Sequence, residues 1–134
     1  MACPIALVAE DDAELRDLLG SALSSAGFDV RKARDGLELL ANTALPETLP
    51  DLIITDVDMP RCNGLSALGA VHRFAPQIPS IVMTSFADEA TCAEARRFGA
   101  QLVIDKPFDV GSLCTIAREI VANRDTLPVI ERSR

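Results

Sequence analysis

Apolar residues along this chain come in two alternating patterns. The runs Ile5 to Ala9, Leu52 to Thr55, Ile81 to Met83 and Leu102 to Ile104 lack polar alternation, as strands covered on both faces of a parallel sheet do. Phe28 to Ala33 alternates Phe28 and Val30 with polar residues, which suits a sheet edge. Between these runs the period lengthens to that of a helix. Leu15, Leu18, Leu19, Ala22 and Leu23 fall on one helical stripe, with Asp11 or Asp12 placed to cap its start and Gly27 to end it. Leu37, Leu40, Ala41 and Ala44 repeat the stripe after Asp35-Gly36, and Val110, Leu113, Cys114, Ala117, Ile120 and Val121 repeat it after Asp109. Two more helices are expected from about Gly64 to Phe74 and from about Asp88 to Phe98. The latter is lined by Ala90, Ala93 and Ala95, offers little area to bury, and should be the most loosely held.

Five β-then-α units joined by short loops predict an α/β domain with a right-handed, doubly wound parallel sheet. In such sheets ligands sit beyond the C-terminal strand ends, near the switch in strand order. One domain over residues 1 to 123 is expected, followed by a tail or linker stub from 124 to 134 that contains Pro128 and no helical stripe.

Composition narrows the function classes. The 49% hydrophobic and 25% charged content is that of a globular chain, and no apolar run approaches the length of a membrane span. Thirteen basic against twenty acidic residues give a net charge of −7, which argues against direct nucleic-acid binding through clustered Lys and Arg. The N-terminus carries no export pattern, so a cytoplasmic location is the default expectation. Cys3, Cys62, Cys92 and Cys114 form no Cys-x-x-Cys pair and His72 is the single histidine, so zinc and redox readings find little support. The cysteines are expected to be small, mostly buried and reduced.

Chemistry gathers at the expected strand ends. Glu10-Asp11-Asp12, Asp56, Thr84-Ser85 and Lys106-Pro107 each follow an apolar run. Glu10, Asp11 and Asp56 brought together would raise one another's pKa unless a cation compensates, and Mg2+ fits a shallow carboxylate site that keeps several waters. Lys106 adds a point charge and Thr84 a hydroxyl donor for phosphoryl oxygens, while an Asp carboxylate can act as nucleophile and carry phosphate as an acyl phosphate. Asp12 reads as a helix cap, His72 as a helix residue without catalytic duty, and Arg96-Arg97 as a solvated helix end.

The runs Leu7-Val8-Ala9-Glu10-Asp11-Asp12, Asp51-Leu52-Ile53-Ile54-Thr55-Asp56-Val57-Asp58-Met59-Pro60 continuing to Gly64, Val82-Met83-Thr84-Ser85 and Asp105-Lys106-Pro107-Phe108 resemble the receiver domain of two-component response regulators. Four such motifs in order on successive βα units are specific, and the resemblance covers about Ile5 to Asn123. It implies a flavodoxin-like, five-stranded sheet of order 2-1-3-4-5 with five helices. It further implies that Asp56 accepts phosphate from a phosphohistidine on a sensor histidine kinase or histidine phosphotransfer protein. Asp11 would bind Mg2+ directly, Glu10 through water, and the Asp58 backbone carbonyl would complete the protein ligands beside Asp56. Lys106 would pair with the phosphate, through a cis Lys106-Pro107 bond typical of the family, and Thr84 would hydrogen-bond a phosphoryl oxygen while small Ser85 leaves access. A phosphorylation-driven change of conformation would then act on an output domain or downstream protein. Receivers of this type often dimerise when phosphorylated, and beyond their own aspartyl chemistry they are not enzymes.

Two other readings are kept. Asp56-Val57-Asp58 also matches the Asp-x-Asp of haloacid-dehalogenase-type phosphatases, which place the pair on the first strand rather than the third. A receiver-like interaction module that never uses phosphate is the other, and Val103 gives it weight, since many receivers carry a switch Tyr or Phe there. Phe86 and Asp58 occupy positions that tune dephosphorylation in the family. Asp58→Asn is therefore expected to change the lifetime of the acyl phosphate, because a neighbouring carboxylate repels it or steers water; identical decay of the two phosphorylated proteins would refute this.

Overall fold

A computed structural model of the chain describes residues 3–123, so the segment expected to form a tail lies outside the described residues. Chain order is β1 (Ile5–Ala9), α1 (Ala13–Ser25), β2 (Asp29–Ala33), α2 (Gly36–Ala41), a 3-10 turn at Pro46–Thr48, β3 (Leu52–Asp56), α3 (Gly64–Phe74), β4 (Ser80–Thr84), α4 (Glu89–Arg97), β5 (Leu102–Asp105) and α5 (Val110–Asn123). The strands form one parallel sheet of order β2-β1-β3-β4-β5, as expected.

Successive side chains of a strand point to opposite faces, so each apolar run feeds two cores. Leu7, Ala9, Ile53 and Val82 pack with Leu39, Leu68 and Ala95 under α2, α3 and α4. Ala6, Val8, Leu52, Ile54, Ile81 and Met83 pack with Leu19, Leu23, Leu113 and Ala117 under α1 and α5. Burial on both faces explains why these strands show no polar alternation. β5 departs from that expectation: Leu102, Val103 and Ile104 are only half-buried, because β5 is an edge with one neighbour. The helix above it adds little cover, since Ala95 is the buried residue of α4.

Side-chain caps start the helices at the C-terminal edge of the sheet. Asp12 Oδ1 accepts the N–H groups of Glu14 and Leu15 at 3.0 and 3.5 Å, which decides the cap of α1 in favour of Asp12. Asp35, Asn63, Asp88 and Asp109 do the same for Glu38, Ser66, Thr91 and Ser112. Each cap satisfies a donor that the first helical turn leaves without a partner. α2 stops short of the apolar stripe that reaches Ala44; the Thr43 hydroxyl donates to the Leu40 carbonyl at 2.9 Å and the chain turns away. The cysteines are free, but only Cys114 is buried; Cys3 precedes the first strand and is exposed, while Cys62 and Cys92 are half-buried on a loop and on α4.

His72 stands where sequence placed it, on α3, and has a structural duty that periodicity does not reveal. Its Nδ1 lies 3.1 Å from the Phe98 carbonyl oxygen and its Nε2 2.8 Å from that of Ile78, tying the end of α4 to the approach of β4. Gly99 makes this possible: its φ is +109°, and a Cβ there would stand 1.5 Å from His72 Nδ1. Gly27 has a similar φ of +105° with nothing within 4 Å of a Cβ. Gly27→Ala should thus lose only the backbone cost of about 1–3 kcal/mol, and Gly99→Ala distinctly more. Urea unfolding of both variants checks this; equal losses would contradict the crowding at His72.

Candidate functional site

Parallel strands leave their C-terminal ends at one edge, and there the four sequence motifs meet. Glu10 follows β1, Asp56 ends β3, Thr84 ends β4 and Lys106 follows β5. Glu10, Asp11 and Asp56 each offer a carboxylate oxygen, and the three oxygens lie within 4.8 Å of one another. Glu10 is fully buried and Asp56 is 6% exposed, whereas Asp11 faces solvent. Lys106 Nζ bridges the two buried acids, 2.8 Å from Glu10 Oε1 and 3.2 Å from Asp56 Oδ2.

Electrostatics follow from this crowding. Burial, with the charge of Asp56 added, holds the Glu10 carboxyl above its ordinary range, although Lys106 and the Asp12 N–H pull it down. Asp56 is likewise raised by burial and by Asp11, against Lys106 and the backbone N–H of Asp58. Burial opposes the charge of Lys106, yet its bond to Glu10 and the field of Asp56 outweigh that and hold it above the ordinary lysine value.

Backbone contacts fix the frame. The Arg16 guanidinium donates to the Glu10 carbonyl at 2.8 Å, and the Asp12 N–H donates to Glu10 Oε2 at 3.1 Å, so both sides of the first acid are held. Thr84 is buried, and its hydroxyl oxygen accepts the Phe86 N–H at 3.1 Å, which leaves its own proton to donate. The Lys106-Pro107 peptide is cis, matching the expectation for this loop. Gly64 packs directly on the end of β3, where a Cβ would stand 1.8 Å from the Asp56 carbonyl oxygen.

Asp58 and Ser85 lie exposed at the mouth, and Phe86 is 69% exposed beside them. An open cleft of about 600 Å3 adjoins the site between α1 and α5, with Leu15, Leu18, Pro107, Phe108 and Val110 as its apolar wall and Asp12, Ser85 and Lys106 at its polar end. Sequence reasoning did not find Arg16 or the pairing of Arg61 with Asp35, whose Oδ2 receives Arg61 Nε at 2.9 Å. A lone arginine, whether on α1 like Arg16 or in the β3–α3 loop like Arg61, gives no pattern to read, and Asp35 read only as a helix start.

The strand order defines a flavodoxin-like α/β domain, and its C-terminal edge carries a cluster of carboxylates that could hold a metal ion. Residues 6–118 match the family model of the response regulator receiver domain, and the chain belongs to this family of two-component systems. Over 119 residues it is 31% identical to the DNA-binding transcriptional regulator NtrC of Salmonella typhimurium, covering 89% of this chain and 25% of that protein. It shares its fold with a CheY-like receiver domain protein from Methanospirillum hungatei, at a TM-score of 0.86 and 22% identity over 92% of this chain and 98% of that one. NtrX from Brucella abortus aligns with a TM-score of 0.82 and 28% identity over 93% of this chain and 28% of its own. The chain spans about a quarter of the length of the NtrC relative. Among the described residues no helix is long and apolar enough to cross a membrane.

Three clustered carboxylates against one ammonium predict an effect on stability. Asp56→Asn should stabilise the metal-free protein by about 1 kcal/mol, since it removes one of three crowded like charges while Lys106 keeps Glu10 as its partner. MgCl2 should raise the unfolding midpoint of the wild type, and the same change should shrink that rise. Denaturant titrations with EDTA and with MgCl2 measure both; a less stable Asp56→Asn protein in EDTA would count against repulsion as the governing force.

Proposed function

We propose that this receiver accepts a phosphoryl group on Asp56 from a phosphohistidine of a sensor histidine kinase or histidine phosphotransfer protein. The observation that carries this reading is the single ammonium of Lys106 lying between Glu10 and Asp56 at the sheet's C-terminal edge. The donor set suits a hard divalent cation, because it offers carboxylate oxygens at close range and neither nitrogen nor sulfur. Glu10, Asp11, Asp56 and the Asp58 backbone carbonyl would hold Mg2+. When bound, the ion neutralises carboxylate charge and draws electron density from the phosphoryl oxygens.

An oxygen of ionised Asp56 attacks phosphorus as the phosphorus–nitrogen bond of the donor breaks, and the imidazole leaves with the bonding electron pair. Lys106 is already beside the nucleophilic carboxylate and moves its charge onto the new phosphoryl oxygens. The Thr84 hydroxyl donates a hydrogen bond to one of those oxygens and keeps its proton. The cleft beside α1 gives a partner an apolar surface adjoining the phosphoacceptor, consistent with donation by another protein rather than capture of free substrate. Mg2+ aside, the chain needs no cofactor, and it acts as a switch rather than a turnover enzyme.

The phosphatase reading loses its footing, because the Asp-x-Asp pair ends the third strand of a receiver fold. A purely phosphate-independent module has no use for a buried acid held beside a lysine. Output runs to an attached or separate effector through the region around α4 and β5, where Val103 is half-buried against the α3 and α4 side of the core. We further propose a cytoplasmic protein whose compact unit ends near Asn123 and which associates in pairs when phosphorylated.

Intact-mass analysis after incubation with acetyl phosphate and MgCl2 tests the assignment. Wild type should gain one phosphoryl adduct and Asp56→Asn none, and Thr84→Ala should gain it more slowly by on the order of 10²-fold. An adduct on both wild type and Asp56→Asn refutes Asp56 as acceptor, and absence of any adduct or beryllofluoride binding favours the phosphate-independent module.

A further inference from the structure

We propose that Arg61 and Asp35 are a positioning pair that fixes the loop carrying Asp58 against Asp56, which makes the start of α2 part of the phosphorylation site; this role rests on the phosphoacceptor reading above.

The loop between β3 and α3 is anchored at both ends. At the near end the Val57 N–H donates to the Met83 carbonyl and the Gly64 N–H to the Val57 carbonyl, each at 3.0 Å, and Met59 is buried in the core. Between the anchors lies Asp58, two residues past Asp56, whose backbone N–H is among the groups that pull the Asp56 carboxyl down and whose carbonyl is the group assigned to the cation. At the far end Arg61 has φ +70°, the one non-glycine residue with positive φ among the described residues. Side chains disfavour that backbone, so it persists only where neighbours over-determine it.

Those neighbours belong to α2. Arg61 Nε lies 2.9 Å from Asp35 Oδ2, and Nη2 bonds the same oxygen. Asp35 is 4% exposed, and its other oxygen caps α2 by accepting the Glu38 N–H at 2.9 Å. One residue on, the Gly36 N–H donates to the Cys62 carbonyl at 3.0 Å, and a Cβ on Gly36 would stand 2.2 Å from that oxygen. Loop and helix thus meet as closely as bare backbone allows. A planar guanidinium clamped on a buried carboxylate holds direction as well as distance, so the register of residues 58 to 61 is passed back to Asp58. Partners that orient a ligand, without touching the ion, commonly set metal affinity.

The test uses Arg61→Gly and Arg61→Asn, both of which tolerate the left-handed backbone without the guanidinium, and Arg61→Lys, which restores a charge. Calorimetric titration with MgCl2 should show about tenfold weaker binding for Arg61→Gly and Arg61→Asn, with partial recovery in Arg61→Lys. Hydrogen exchange of the metal-free proteins should show faster exchange at the Asp58 amide, with the β1 and β4 amides unchanged. Unchanged Asp58 exchange and unchanged Mg2+ affinity in folded Arg61→Gly, in a wild type that takes phosphate on Asp56, overturns the positioning role alone. A wild type that binds no Mg2+ and takes no phosphate overturns the phosphoacceptor reading and this role with it.

Discussion

One ammonium shared by two buried carboxylates is the contact on which this molecule depends. Glu10 and Asp56 come from adjacent strands and lose most of their water on folding, a cost that only close opposite charge offsets. Lys106 supplies it from the far edge of the sheet, so the ion contact spans three of the sheet's loops. The balance is incomplete, because Asp11 brings a third negative charge to the same place. A site that stays short of positive charge has the donor set and charge balance that a hard divalent cation could complete.

The surrounding framework serves that arrangement at low cost. Parallel pairing puts the β1, β3, β4 and β5 ends side by side, and capping carboxylates and amides pin the helix starts that follow them. Close approaches at Gly36 and Gly64 leave the β3–α3 loop little freedom. The opposite side is built differently. α4 buries little more than Ala95 and is tied down at its end by Phe98 and His72, so a small change at Thr84 and Lys106 meets weak resistance there. Val103 offers no aromatic ring there, and it sits half-buried against the α3 and α4 side of the core.

Fold and chemistry were legible to different degrees. Unbroken apolar runs gave the central strands because burial on both faces leaves no room for polar alternation, and the same logic misread β5, whose run is apolar although one edge faces no strand. The helix at Asp35 was foreseen in place and overestimated in length, since the Thr43 turn competes locally with helix continuation. Cysteine burial was overestimated because residue type alone does not say which face of α4 or which loop carries the thiol.

What the sequence determined by itself was the order of elements and the roster of reactive groups: period and caps are local properties, and Glu10, Asp11, Asp56, Thr84 and Lys106 each sit at a boundary that local pattern marks. Tertiary structure alone decided which of those acids is buried, that Lys106 contacts two of them, and that Arg61 reaches Asp35 across 26 residues of sequence. The reason is physical. Burial, pKa and ion pairing depend on distances between groups remote in the chain, and those distances exist only once the strands have found their neighbours.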